Sequence, residues 1–482
     1  MTRSLWTLGE IITASCGRLD LSAREPCSSD LAAAIAGISI DTRSLAPGDL
    51  FVPLTDARDG HEFVTAAFER GAEAALVRDS YVRRPGDGAL IRVDDPLRAL
   101  ERIGMAARAR LSDTARVVAV TGSAGKTGTK EMLRACLKVC ASSPDKVHAP
   151  EKSFNNHWGV PLTLARMPAD TEFGIYEIGM NHAGEIRPLA KMVRPHIAII
   201  TNVLPVHVGN FEDGEIGVAN AKAEIFEGLE GGGTAIILRA SPHFELLRKA
   251  AGRRHARIVT FGRHNEADIR LINVSAEQAD GSQIVSGESH WTDAKFGFAL
   301  GMLGDHLAVN SLAVVAALEA LGCDAARATK AMASVRSAAG RGAREQLGAP
   351  DGQILLLDES YNANPASMAA ALANLAQTDN GGRRVAILGD MLELGTDSIR
   401  YHIGLQHDLE PIDLVLCCGA SMRHLYDELA TEKKGAWAPS SIELIPHVLQ
   451  TLRVGDAVMV KGSLGSRMAP IVEAIRKRFS GN

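Results

Sequence analysis

Short apolar runs, each closed by glycine or a polar turn, alternate with stretches of helical periodicity along most of this chain. VVAVTG, FGIYEIG and HIAIITNV carry the β-branched and aromatic residues of buried strands. KTGTKEMLRACLKVCA predicts an amphipathic helix, and HLAVNSLAVVAALEALG a longer one. Strands that alternate with helices predict a mostly parallel sheet covered on both faces. Upstream, SIDTRSLAPGDLFVPL reads as strand, turn at Pro47-Gly48, and strand. FVTAAFERGAEAALV reads as a helix ending at Gly71, then a short strand. Downstream, QILLLDES, RRVAILGD, DLVLCCG and DAVMVKGS are apolar strands that each end in a polar or glycine turn, as in a second doubly wound unit. The pattern predicts an α/β protein of three domains: a small α/β domain over 1–113, a central P-loop parallel-sheet domain over 114–335, and a doubly wound Rossmann-like domain over 336–482.

The length of 482 residues agrees with three domains at roughly 150 residues each. Net charge is −5 with no polybasic run, which argues against a nucleic-acid groove or a membrane surface as partner. The seven cysteines are odd in number and form no CxxC pair, so free thiols in a reducing compartment are expected. Cys136 and Cys140 share helical i, i+4 spacing. The first residues show no basic-then-apolar signal pattern, and no apolar run approaches the roughly 18 residues of a membrane span. A cytoplasmic protein, expected to act as a monomer, is the reading.

VVAVTGSAGKTGTKEML is the strongest motif: a buried strand, a glycine-rich turn, Lys126, Thr127 and a helix. This is the context of a phosphate-binding loop. Gly122 and Gly125 let the backbone approach an anion, and Ser123, Ala124 and Gly128 complete the turn whose amides cradle phosphate oxygens. Lys126 is expected to reach the terminal phosphates and Thr127 to bind Mg²⁺ through its hydroxyl. The common pattern GxxxxGK[ST] would place glycine at 120, where this chain has Val120. A guanine-reading NKxD sequence is absent, which favours ATP over GTP.

The TGSAGKT loop, with its shifted glycine, resembles that of the Mur ligases, and further motifs follow in the same order along almost the whole chain. They are SFNNHWGVPLTLARMP with Asn155 and Asn156, YEIGMNHAGEI with Glu177, TNVLPVHVGNFED with His207, and AKAEIF with Lys222. GDHLAVNSLAVVAALEALG with His306 and Asn310, Gly340-Arg341, LLLDESYNANPASM, VAILGDMLELG and VMVKGSLGSRM complete the series. YNANP and GDMLELG point to the branch that adds D-Ala-D-Ala, and the DNPR motif of the diaminopimelate-adding branch is absent. IDTRSLAPGDLF…DGHEF resembles the domain that holds the UDP moiety. Asp56, where glycine is common, and His157-Trp158, where an acidic–aliphatic pair is usual, depart from the family pattern.

The resemblance implies an ATP-dependent ligase that adds D-Ala-D-Ala to UDP-MurNAc-tripeptide through an acyl phosphate. Lys126 would serve the phosphates, Thr127 and Glu177 a first Mg²⁺, and His207 with Lys222 a second, Lys222 being carbamylated in the family. His306 and Asn310 would meet adenine, Arg341 the γ-phosphate, and Asp358 the ribose. Asp41, Thr42, Arg43 and Ser44, then Asp59, Gly60 and His61, would contact the UDP substrate. Asn155, Asn156, Tyr361, Asn362 and Asn364 would complete the substrate site, and Lys461 and Ser463 would meet the dipeptide carboxylate. Each residue also has a plainer reading: a strand-end salt bridge for Glu177, a solvated loop for His207, a solvated helix lysine for Lys222, a helix cap for Asp358, and a helix-starting turn for Asn364-Pro365. Another Mur-type ligase, a nucleotide-binding regulator and a phosphotransferase are the rival functions.

Overall fold

In the computed structural model, which describes residues 4–479 apart from 22–24, 26, 151–152, 207, 276–281 and 350–351, one helix joins the first third of the chain to the second. The Asp95 carboxylate accepts from the Leu97 and Arg98 amides, and Pro96 follows at the first helical position, so Pro96–Ala109 begins sharply. Its apolar face packs on the helix Gly159–Ala165, where a Cβ on Gly104 would meet Leu164 Cβ and the Pro161 carbonyl at 3.1 Å. That close approach is the reason for glycine at 104.

Before this helix lies a five-stranded sheet in the order Arg18–Asp20, Ala89–Val93, Ala74–Arg78, Asp49–Phe51, Gly37–Ser39. Arg18–Asp20 pairs antiparallel and the others pair in parallel. The expected strand–turn–strand around Pro47-Gly48 is therefore a tight parallel connection, with Gly37 opposite Asp49. The helix Val64–Glu69 stops before Gly71, whose φ of +90° suits glycine.

Nine strands form the central sheet. Among the described residues seven of them pair in parallel, and Arg116–Thr121 lies between Ile197–Ile200 and Phe173–Glu177. Ile269–Val274 is the last of the parallel strands, and Gln283–Ser289 and Ala294–Leu300 extend it as an antiparallel edge. The third sheet runs Ala343–Ala349, Gly352–Glu359, Ala457–Lys461, Arg384–Gly389, Leu414–Cys418, Lys434–Ala438, parallel except for its first pair. Within this sheet, Ala343–Ala349 and Lys434–Ala438 are the strands absent from the sequence expectation.

One apolar core runs from Trp6 in the first unit to Ala251 in the second. Trp6 Nε1 donates to the Ala165 carbonyl at 2.8 Å, and Arg166 Nε to the Ile38 carbonyl at 2.7 Å. The third unit has cores of its own on the two faces of its sheet. The first two units are thus packed as one body, and the third meets them across a cleft. Among the described residues no helix is long and apolar enough to cross a membrane.

Candidate active site

Parallel register brings three strand ends to one edge. Glu177 lies opposite Val120, and Ile200 opposite Thr121. Segments leaving these strands therefore emerge side by side, at the carboxyl edge where α/β sheets bind ligands. After Thr121 the chain turns through Gly122 and Gly125 into the helix Lys126–Cys140. Gly122 has φ +152° and Gly125 φ +81°. A Cβ on Gly122 would overlap Thr201 Oγ1, and one on Gly125 would overlap Asn310 Nδ2.

The loop is pinned by the neighbouring strand's continuation. Thr201 Oγ1 donates to the Ala124 carbonyl at 2.6 Å, and Asn202 Oδ1 accepts from the Ala124 amide at 2.9 Å. Ser123 Oγ donates to the Leu204 carbonyl and accepts from its amide. Thr201 and Asn202 open the segment TNVLPVHVGNFED, whose motif reading assigns a role only to His207. Their position directly after a strand adjacent to the phosphate loop is the signal that marks them.

Gly125→Ala is expected to weaken ADP binding about 10- to 100-fold, since a strained residue of this kind stores roughly 1–3 kcal/mol. Calorimetric titration with ADP checks this, and wild-type affinity would refute the packing argument.

Around the loop the side chains form a charged cluster. Lys126 Nζ donates to the Gly122 carbonyl at 2.6 Å. Burial lowers the Lys126 pKa, Glu177 counteracts, and Arg341 adds to the lowering. Thr127 Oγ1 donates to Glu177 Oε2 at 2.9 Å, and Asn155 Nδ2 donates to Glu177 Oε1 at 2.7 Å. Asn156 instead accepts from the Trp158 and Gly159 amides and opens the next helix. The Asn155/Asn156 pair thus divides into one residue in the cluster and one structural cap. Gly128 admits Leu307 of the helix Asp305–Ala320 at 3.1 Å from its Cβ position.

On that helix, Asn310 is buried with its Nδ2 against Gly125, and this nitrogen has no hydrogen-bond partner among the described residues. Asn310 therefore stands at the bend of the phosphate loop. His306 stands at the rim. The protein around it desolvates the ring and lowers its pKa, while Glu359 opposes and Lys461 reinforces this.

The third unit contributes Arg341 between Gly340 and Gly342, at φ +75° and +91°. Its guanidinium lies 4.2 Å over the Tyr361 ring and donates to Ser153 Oγ at 3.3 Å. The cleft between the units, open to solvent on one side, has a volume of about 650 Å³ and is lined by Lys126, Thr127, Glu177, His306, Arg341, Tyr361 and Lys461 among others.

Asn362, Asn364 and Lys461 also line this cleft, whereas Asp358 does not. Asp358 is 2% exposed, turned away from the cleft, and accepts from Ser360 and Arg476. Strand alternation puts its neighbour Glu359 on the cleft side instead. Asn364 caps the helix Pro365–Ala376 by accepting from the Ser367 amide, matching its plainer reading. Asn362 accepts at its side chain from the Ala363 amide, and its carbonyl accepts from Lys461 Nζ at 3.0 Å. Lys461 also pairs with Glu359 at 3.3 Å. Ser463 Oγ donates to the Ala363 carbonyl and accepts from the Leu392 amide.

In the first unit, Arg43 pairs with Asp41 at 2.7 Å and is 87% exposed, with the Ser44 hydroxyl donating to the Asp41 carbonyl. Thr42 lies in the same turn. Asp59, His61 and Arg78 form a closed network: His61 Nδ1 lies 2.7 Å from Asp59, and His61 Nε2 accepts from the Arg78 amide. Desolvation opposes ionisation of Asp59, but His61 and Arg78 bring its pKa down to about 2. A Cβ on Gly60 would overlap the Leu54 carbonyl.

Lys222 lies in the helix Gly214–Ala223 and is 3% exposed. Burial first, then the charge of Lys126, push its pKa far below the usual lysine value. Next to it, the Glu224 carboxylate accepts from the Gly184 and Arg187 amides and holds the helix that follows the Glu177 loop. His207 lies outside the described residues.

Residues 120–318 match the Mur ligase middle domain and residues 343–464 the Mur ligase, glutamate ligase domain. The UDP-N-acetylmuramoyl-tripeptide–D-alanyl-D-alanine ligase of Bacillus subtilis (strain 168) is 33% identical over 453 residues, 91% of this chain and 93% of that protein. The enzyme of the same name from Escherichia coli (strain K12) is 32% identical over 444 residues, covering 91% and 93%. A crystal structure of MurF from Acinetobacter baumannii superposes with a TM-score of 0.82 at 28% identity, covering 99% of this chain and 100% of that one. The resemblance read from the motifs thus extends over the whole fold, and the chain belongs to the Mur ligase family.

Proposed function

We propose that the protein joins the carboxylate of UDP-MurNAc-tripeptide to the amine of D-Ala-D-Ala, converting ATP to ADP and phosphate and yielding UDP-MurNAc-pentapeptide for peptidoglycan synthesis. The relatives carry this reaction in their names. The observation that supports it here is the convergence of Lys126, Thr127 and Glu177 with Arg341 from the third unit on one cleft.

A carboxylate is a poor electrophile. Its oxygen attacks the γ-phosphorus, ADP leaves, and the acyl phosphate that results is open to the amine. The amine attacks the acyl carbon, loses a proton, and phosphate departs from the tetrahedral intermediate. The difficulty is bringing one anion against another. Lys126, the loop amides and Arg341 supply positive potential where that repulsion is greatest. Arg341 enters from a different body than Lys126, so full neutralisation requires the third unit to be in place. Closure of the third unit over bound substrates would also keep water from the acyl phosphate.

The donor set fits Mg²⁺. Thr127 and Glu177 present hard oxygens 2.9 Å apart beside the phosphate loop, and this ion takes few protein ligands along with substrate phosphates. Among the described residues no three His, Cys, Asp or Glu side chains form a metal cluster. Thr127 and Glu177 would hold one ion, with His207 and Lys222 serving a second. Bound Mg²⁺ would neutralise phosphate charge. As a neutral amine Lys222 can take up CO₂, forming an N–C bond and releasing a proton, and the carbamate is an oxygen ligand that an ammonium cannot be.

For the substrates, Arg43 is positioned to turn from Asp41 toward a diphosphate. Lys461 and Ser463 brace the loops around the carboxyl ends of Gly352–Glu359 and Ala457–Lys461. Lys461, which also lines the cleft, is the cation assigned to the dipeptide carboxylate. We place the reaction in the cytoplasm, where ATP is made.

Phosphate release is measured with Mg·ATP and UDP-MurNAc-tripeptide or D-Ala-D-Ala alone, then with both. Release that requires both, with a pentapeptide mass, is expected. Release without that mass, or an equal rate with single amino acids, would overturn the assignment.

A further inference from the structure

The first two units share a continuous core and the third does not, so the contacts between the third unit and the central one define how the two bodies meet. One contact region is the cleft itself. The other lies apart from it, where the turn Val208–Asn210 meets Gly395–Asp397. There two glycines touch backbone to backbone. A Cβ on Gly209 would stand 2.9 Å from the Gly395 nitrogen and 3.0 Å from its Cα. A Cβ on Gly395, itself at φ +63°, would stand 3.1 Å from the Gly209 Cα. Neither position accepts a side chain without separating the two units.

The segment bearing Gly209 is tied to the chemistry at both ends. Its start, Thr201 and Asn202, holds the Ala124 carbonyl and amide of the phosphate loop. Its far end, Asn210, donates from Nδ2 to the Asn181 carbonyl at 3.1 Å, four residues past Glu177. A displacement at Gly209 therefore acts on the loop after Glu177 through Asn210.

We propose that Gly209 and Gly395 form a seat that fixes how closely the third unit closes, and that they are positioning residues for the ligase reaction. The seat sets the stand-off at which Arg341 reaches the cleft. It also couples that arrival to the loop after Glu177 through Asn210. The effect on rate rests on the ligase reading, whereas the effect on closure does not.

Gly209 is the position to test, because Gly395 also needs glycine for its backbone angle. The series Gly209→Ala and Gly209→Val is compared with Gly231→Ala, where a Cβ meets nothing within 4 Å. Ligase turnover is measured beside small-angle X-ray scattering with and without Mg²⁺ and a non-hydrolysable ATP analogue. The expected result is a graded fall in kcat, about 10-fold for alanine and more for valine, with ADP affinity on the open enzyme within about threefold of wild type. Ligand-induced compaction falls in the same order, and Gly231→Ala behaves as wild type. A misfolded variant would lose ADP affinity and its unfolding midpoint together, without grading compaction. Full compaction and turnover in Gly209→Val would overturn the seat. Lost compaction in a protein whose wild type shows no ligase activity would retain the seat and remove the ligase reading.

Discussion

Lys126→Met is expected to lower kcat by about 10²- to 10³-fold, the loss usual for removal of one preorganised donor from a developing charge. Methionine keeps the length of the side chain and removes only the cation. In the free enzyme the ammonium donates to the Gly122 carbonyl within its own loop, so it is already at the phosphate site and needs no reorganisation to serve it. Arg341 approaches from the other body and remains in the variant, which is why the loss is large without being total. Because D-Ala-D-Ala is proposed to bind on the third unit, its KM should change little while kcat falls. Burial lowers the Lys126 pKa from 10.5, so its charge is lost on the alkaline side earlier than that of a solvated lysine. The wild-type alkaline limb should therefore be missing in Lys126→Met. Rapid-quench measurement of ADP formation across pH checks both points. A kcat within threefold of wild type would remove Lys126 from the chemistry.

The parts of this site legible in the sequence are those where one short segment makes both the structure and the chemistry. VVAVTGSAGKT carries its own strand, its positive-φ glycines and its helix start, so local pattern was enough. The strand ending in Glu177 was legible for the same reason, but its hydrogen bonds to Thr127 and Asn155 depend on sheet register between distant segments. Asp358 shows the limit most clearly. A strand-end acid looks equally suited to ribose or to capping, and only the alternation of the pleat decides that Glu359 faces the cleft. The edge strand Ala343–Ala349, AREQLGA, lacks the apolar alternation of a strand and is held in place by pairing with Gly352–Glu359. The shared core of the first two units was likewise invisible, since it is built from pieces as distant as Trp6 and Ala251.

Lys222→Ala should lower kcat by about 10³-fold, and a short-chain carboxylic acid should restore part of the lost rate. Lys126 and Lys222 have opposite requirements: Lys126 acts as a cation, whereas Lys222 serves an ion only after it has given up its proton. The structure favours that separation. Lys222 is desolvated in the helix Gly214–Ala223, and Lys126 lies near enough for its charge to add to the penalty. The same depression has a stability consequence with a definite sign. Between the lowered folded pKa and the ordinary unfolded value, the unfolded chain binds a proton that the folded one refuses. Stability therefore rises with pH through that window, and below it the buried amine disfavours the fold. Lys222→Met removes this term, so in CO₂-free buffer near neutral pH it should abolish activity without lowering the unfolding midpoint. Differential scanning calorimetry beside the rescue assay gives both readings. Full activity in Lys222→Ala would remove the residue from the reaction, and a lowered midpoint in Lys222→Met would show that the amine is stabilised by a partner in the folded protein.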